Sequence, residues 1–104
     1  MWISGGRDGC RAYCNRLVIG EFQDEDEASR FAAHYADNAS TIFTEAKVLL
    51  SMRTTDTSVM TISVYDDDDA ADRANGLREQ DISQWQLRDV TLLRGTLDLM
   101  HIKT

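Results

Sequence analysis

Val59-Met60-Thr61-Ile62-Ser63-Val64-Tyr65 runs without a break into Asp66-Asp67-Asp68-Asp69-Ala70-Ala71. The first seven residues alternate and are rich in β-branched and aromatic side chains, which predicts a strand over Val59 to Tyr65. The four acids suit the positive end of a helix, with Asp66 as cap, and Ala70, Ala71, Ala74 and Leu77 supply an apolar side. A helix over residues 67–80 follows, with room for one more turn to Trp85.

Upstream, Thr54-Thr55-Asp56-Thr57-Ser58 has the composition of a turn, and Val48, Leu50 and Met52 alternate within Thr41 to Arg53. Two strands flanking a turn predict an antiparallel hairpin. Further upstream lies the cluster Asp24-Glu25-Asp26-Glu27, ahead of Ala28, Phe31, Ala32, Tyr35 and Ala39 at three-and-four spacing. That pattern predicts an amphipathic helix over 25–38 with Asn38 as its terminator. Arg16 to Phe22 predicts the first strand, and Val90 to Ile102 a long last strand with a bulge or bend at Gly95. The first fifteen residues, with Gly5, Gly6 and Gly9, show no periodicity and are expected to form an arm (1–15) before a single domain (16–104). No proline occurs, so the turns fall to Gly, Asn, Asp, Ser and Thr.

Strand, helix, strand, strand, helix, strand is the split βαβ order. It implies an α+β, ferredoxin-like βαββαβ fold, a four-stranded antiparallel sheet with both helices on one face. At 104 residues, with 42% hydrophobic and 28% charged, the chain matches one ordinary globular domain. A net charge of -7 repels nucleic acid and anionic lipid, so neither is an expected partner. There is no apolar run near the roughly 20 residues of a membrane-spanning helix and no secretion signal, so the expected location is the cytoplasm.

Strand parity divides the sheet residues into two sets. Val48, Leu50 and Met52 share a phase, as do Met60, Ile62 and Val64, and this more apolar set is expected to meet the helices. Leu49, Ser51, Arg53, Val59, Thr61, Ser63 and Tyr65 then fall on the helix-free face. A four-strand face of about 400 Å² is large enough to require cover, and a second copy of the chain, giving a homodimer, is the simplest.

The stretch from Val59 to Ala71, the preceding strand Ala46 to Arg53 and the closing Leu93-Arg94-Gly95-Thr96-Leu97 resemble the dimeric α/β-barrel superfamily, specifically its antibiotic biosynthesis monooxygenase-like domains. The resemblance covers residues 16–103. It implies two sheets packed face to face across a two-fold axis, with a small cleft in each protomer for an aromatic or porphyrin-like ligand. Haem-degrading members carry an Asn on the first strand, a Trp near the end of the third and a His on the second helix. Here Asn15 precedes the expected strand, Tyr65 stands where the Trp would be, and no His lies between Asp66 and Trp85, which argues against haem degradation.

Three functions follow as expectations. The first is a small dimeric α/β-barrel protein holding a small aromatic or apolar ligand in a cleft. The second is a cofactor-independent monooxygenase acting on a phenolic or polycyclic substrate, and the third a purely structural dimerisation module. Parity and hairpin geometry make Leu49, Ser63, Tyr65 and Trp85 the candidate ligand-binding residues, and leave Arg53 to the interface. No pairing of base and activated nucleophile marks a catalytic residue. Cys10 and Cys14 have C-x3-C spacing without a second pair or a nearby His, and Asp66 to Asp69 lack the calcium-loop pattern, so no metal or other cofactor is expected. His34 and His101 are expected at the surface or a boundary.

Overall fold

The elements in chain order are β1 (Cys14–Phe22), α1 (Glu25–Ile42), β2 (Val48–Thr55), β3 (Ser58–Tyr65), α2 (Asp68–Ile82) and β4 (Leu87–Thr96). The computed structural model describes residues 13–103; the stretch through residue 12, with Trp2, Cys10 and the expected arm's glycines, lies outside the described residues. All three strand pairings are antiparallel and the sheet order is β2-β3-β1-β4, so β1 and β3 are central. The chain has the ferredoxin-like fold that its element order predicts.

α1 starts where Asp24 caps it, the carboxylate accepting from the Glu27 amide at 2.8 Å with three acids in the first turn. It continues a full turn past Asn38 because Ala39, Ile42 and Phe43 keep packing against the core. Asn38 does not end the helix; its side-chain amide turns back and donates to the His34 carbonyl at 2.9 Å. Residues 43–47 therefore form a short connection, and β2 begins only at Val48. α2 is capped by Asp67 and not Asp66: the Asp67 carboxylate accepts from the Ala70 amide at 2.9 Å, while Asp66 pairs with Lys47 at 3.4 Å. β1 begins at Cys14 and so includes Asn15. β4 ends at Thr96, which lies opposite Cys14, the first residue of β1, its only strand partner among the described residues. Leu97 still donates its amide to the Tyr13 carbonyl, but residues 97–103 leave the sheet, with Leu99 and Ile102 exposed.

Strand parity groups the side chains correctly, but the two faces are exchanged. Val59, Thr61, Ser63 and Tyr65 are buried beneath the helices, opposite Gly20, Val18, Arg16 and Cys14 of β1. Arg53 also lies on that side, where its guanidinium donates to Ser29 Oγ of α1 at 3.0 Å, and Leu49 packs against the helix-side core. The physical reason is that the helices bring most of the apolar volume themselves. Phe31, Tyr35 and Ala39 of α1, with Ala70, Ala71 and Ala74 of α2, fill the layer together with Phe22, so β3 can present hydroxyls to it. The open face carries a row that crosses all four strands, Leu50, Ile62, Leu17 and Leu93, with Met52, Met60 and Ile19 in the next row. Leu50, Met52 and Leu93 are each more than half exposed.

Candidate functional site

Small residues bring the first half of α2 close to the sheet, and after Ala74 its inward positions hold longer side chains. A cleft of about 410 Å³ opens there against β1 and β4, lined by the apolar Val18, Ile82, Val90 and Leu92 and the polar Asn75, Arg78, Glu79 and Ser83. Behind it a smaller void of about 20 Å³, room for one water, shares Val18, Arg78, Ile82 and Val90 and extends to Tyr35, Thr61 and Asp81. Gly20 lines this void and lets Leu87 approach β1 closely: a Cβ there would come within 2.7 Å of Leu87 Cδ2. The walls are mostly apolar with a few polar groups, the make-up that gives a small-molecule site both affinity and orientation.

Arg78 is the central polar group. It is 7% exposed, its guanidinium lies 5.1 Å from the Phe43 ring centroid, and it donates to Asn75 Oδ1 (2.6 Å), Ser63 Oγ (3.0 Å) and the Tyr65 hydroxyl (3.2 Å). All three acceptors are neutral. Tyr35 is nearly fully buried, and its hydroxyl, beside Thr61, makes no well-formed hydrogen bond. Burial pushes the Tyr35 phenol above its ordinary value while Arg78 pulls the other way, so the group keeps its proton at neutral pH.

Asp81 accepts from His34 Nε2 at 2.8 Å. The Asn38 amide fixes the tautomer: it donates one hydrogen to the His34 carbonyl, and the second is then aimed at His34 Nδ1 at 3.2 Å. Nδ1 is thus the acceptor and Nε2 bears the hydrogen directed at Asp81. Trp85 stands edge-on to Phe31 and Phe22, with its ring 5.5 Å from that of His34 and its Nε1 buried without a partner.

Of the candidates named from sequence, the structure brings Ser63 and Tyr65 together on Arg78, with Leu49 opposite Ser63 in the β2–β3 ladder. Trp85 is not with them. Tyr65 pairs with Cys14 at one end of β1, whereas Trp85 packs on Phe22 at the other end, eight residues or roughly 25 Å along the strand. His101 is exposed beyond β4. Cys14 is buried in β1, its thiol pushed up to about 11, first by burial and then by Asp68. Arg16 beside it is 1% exposed and reaches Asp68 and Asp72 at 3.6 and 3.4 Å. Among the described residues no group of three or more His, Cys, Asp or Glu is arranged to hold a metal ion.

Sequence reasoning missed Arg78 and Asp81. Both continue the inward stripe of α2, four and seven residues beyond Ala74, and a charged residue on an apolar stripe is the signal that could have found them.

No family model and no curated protein matches the sequence. Solved structures do. A protein of unknown function from Nitrosomonas europaea aligns with a TM-score of 0.71 at 8% identity, covering 92% of this chain and 99% of the other. A monooxygenase from the gene ActVA-Orf6 of Streptomyces coelicolor, in complex with nanaomycin D, gives 0.66 at 13% identity, covering 90% and 95%. A dimeric ferredoxin-like protein from an uncultured marine organism gives 0.63 at 13%, covering 90% and 94%. The chain thus has the ferredoxin-like fold of these solved structures, one of them a monooxygenase and one a dimeric ferredoxin-like protein. No helix among the described residues is long and apolar enough to cross a membrane.

Proposed function

We propose that the protein is a homodimer whose protomers each bind a small, largely apolar or aromatic molecule in the cleft between α2 and β4. The observation that carries this is the cleft itself: about 410 Å³ of space against Val18, Ile82, Val90 and Leu92, with Arg78 among its polar lining residues. In this reading Ser63 and Tyr65 serve the ligand through Arg78, whose orientation they fix, and Leu49 supports that end of the sheet. The dimer rests on the open apolar face, the row from Leu50 to Leu93, which a second copy covers across a two-fold axis.

2-Naphthol, an apolar aromatic with one hydroxyl, is a suitable probe. In methyl-labelled protein its titration shifts the methyl signals of Val18, Ile82, Val90 and Leu92 and leaves Leu50 and Leu93 unmoved. Gly20→Val, which fills the inner void, weakens binding. Shifts confined to the open face, or none at millimolar probe, overturn the cleft assignment.

The oxygenase reading draws support from the fold likeness to the Streptomyces monooxygenase. Oxygen consumption in the presence of phenols and anthrones distinguishes it from binding alone.

A further inference from the structure

We propose that the molecule held in the cleft is an aromatic carboxylate, and that Arg78 and Asn75 are the groups that bind its charged end. The inference rests on the cleft reading above and names the chemical class of the ligand.

Arginine carries a permanent charge and is seldom buried without an acidic partner, because neutral hydrogen bonds replace its lost water incompletely. Other arginines of the chain keep to this. Arg16, the other buried one, reaches Asp68 and Asp72, and the exposed Arg30, Arg73 and Arg94 each reach a carboxylate. Arg78 is 7% exposed, yet among the described residues it forms no ion pair; its acceptors are Asn75, Ser63 and Tyr65. Asp81 follows it by three residues on α2, but the Asp81 carboxylate is engaged by His34. A buried cation beside a cleft, with no anion of its own chain upon it, is what a site for an acidic ligand requires.

The direction of the free donors agrees. Nη2 of Arg78 donates to the Ser63 and Tyr65 hydroxyls of β3, and Nη1 donates to Asn75 Oδ1 at 2.6 Å. Asn75 lines the cleft and not the inner void, so the Nη1 end of the guanidinium lies on the cleft side. Nη1 bears a second hydrogen, for which the described residues provide no acceptor. Since arginine only donates, the Asn75 atom that meets it is the oxygen, and Asn75 Nδ2 is turned away, also without an acceptor among the described residues. One charged and one neutral donor therefore stand side by side, held in place from behind by Ser63, Tyr65 and the Phe43 ring. Val18, Ile82, Val90 and Leu92 provide the apolar wall for the rings.

The surrounding charges select a monoanion. Glu79 lines the cleft but is exposed, where water and salt screen it. Asp81 lines the inner void and not the cleft, and β1 and β4 give the cleft no charged lining residue. A single guanidinium thus meets a single carboxylate, whereas a phosphate dianion would bring a second charge with no cation to receive it. A neutral phenol fills the apolar wall but leaves Arg78 unpaired.

The test titrates methyl-labelled protein with 2-naphthoate, with its neutral isostere 2-naphthamide and with 2-naphthol. 2-Naphthoate shifts the methyl signals of Val18, Ile82, Val90 and Leu92 and binds at least about tenfold more tightly than 2-naphthamide. Arg78→Gln abolishes this preference while 2-naphthamide affinity stays within about twofold. Asn75→Ala, at a half-buried position away from Ser63 and Tyr65, lowers the preference roughly threefold and serves if Arg78→Gln fails to fold. If 2-naphthol leaves the cleft methyls unmoved, the cleft reading falls and this inference with it. If 2-naphthol binds there but 2-naphthoate is no tighter than 2-naphthamide, or its preference is unchanged in either folded variant, the inference alone falls.

Discussion

Leu50→Lys separates the open-face dimer from every arrangement in which that face is left bare. Leu50 is 56% exposed and sits at the β2 end of the row Leu50, Ile62, Leu17, Leu93. In a single protomer the lysine costs little, because the position already meets water. In a face-to-face dimer the same leucine is removed from water, and the two-fold axis counts the change twice. The exposed part is roughly 100 Å², worth about 2.5 kcal/mol at 25 cal/mol per Å². Two copies give about 5 kcal/mol, or between three and four orders of magnitude in dissociation constant at 1.4 kcal/mol per decade. A dimer of nanomolar affinity thus becomes one of low-micromolar affinity, mostly monomeric below about 1 µM. Sedimentation velocity at about 0.5 µM reads the state, and thermal melting of the dilute variant confirms that the protomer still folds. Leu49→Lys is the companion. Leu49 lies against the helix-side core, so its change lowers the melting temperature and does not selectively dissociate folded protomers. A wild-type monomer at about 0.5 µM, or a Leu50→Lys variant that remains dimeric there, refutes the argument.

Asp67→Ala costs about 1 kcal/mol in urea unfolding through the lost cap of α2, whereas Asp66→Ala changes stability by less than about 0.5 kcal/mol; equal effects would move the cap. Arg78→Met leaves the Ser63 and Tyr65 hydroxyls without their shared donor and destabilises by about 3 kcal/mol, whereas Arg73→Met, whose pair with Glu45 is exposed, leaves the urea midpoint nearly unchanged. The Cys14 thiol lies above its unfolded value when the chain is folded, so the unfolded state loses its proton first as pH rises. The contribution is whole below about pH 9 and is lost as pH climbs towards 11; in a Cys10→Ser background, Cys14→Ala flattens the fall in urea midpoint across that window.

Element order was legible because each signal is local: acids before an alanine stripe, alternation before a turn. The boundaries that moved depend on contacts distant in sequence. α1 outruns Asn38 because Phe43 reaches the core, and β4 stops at Thr96, opposite the first residue of β1. The exchange of faces has a more general cause. Parity says which residues travel together, but not which set the helices will cover. Apolarity alone points to the more apolar set, yet the covered set includes Arg16, Thr61 and Ser63, whose company is settled only when α1 and α2 dock. The same docking makes the pair between His34 and Asp81, 47 residues apart. Ser63 and Tyr65 could be singled out as neighbours from strand parity alone; Arg78, which joins them, could not.

The residue sizes along α2 have a further consequence. Ala70, Ala71 and Ala74 bury the first half of α2 with short side chains, whereas Arg78 and Ile82 of its second half line the cleft. The side chains that shape the cleft therefore come from regular elements, the second half of α2 facing β1 and β4. A larger residue at Ile82 would narrow the cleft and a smaller one would widen it. Selection on a single inward position of one helix could therefore tune the size of molecule admitted without altering the sheet.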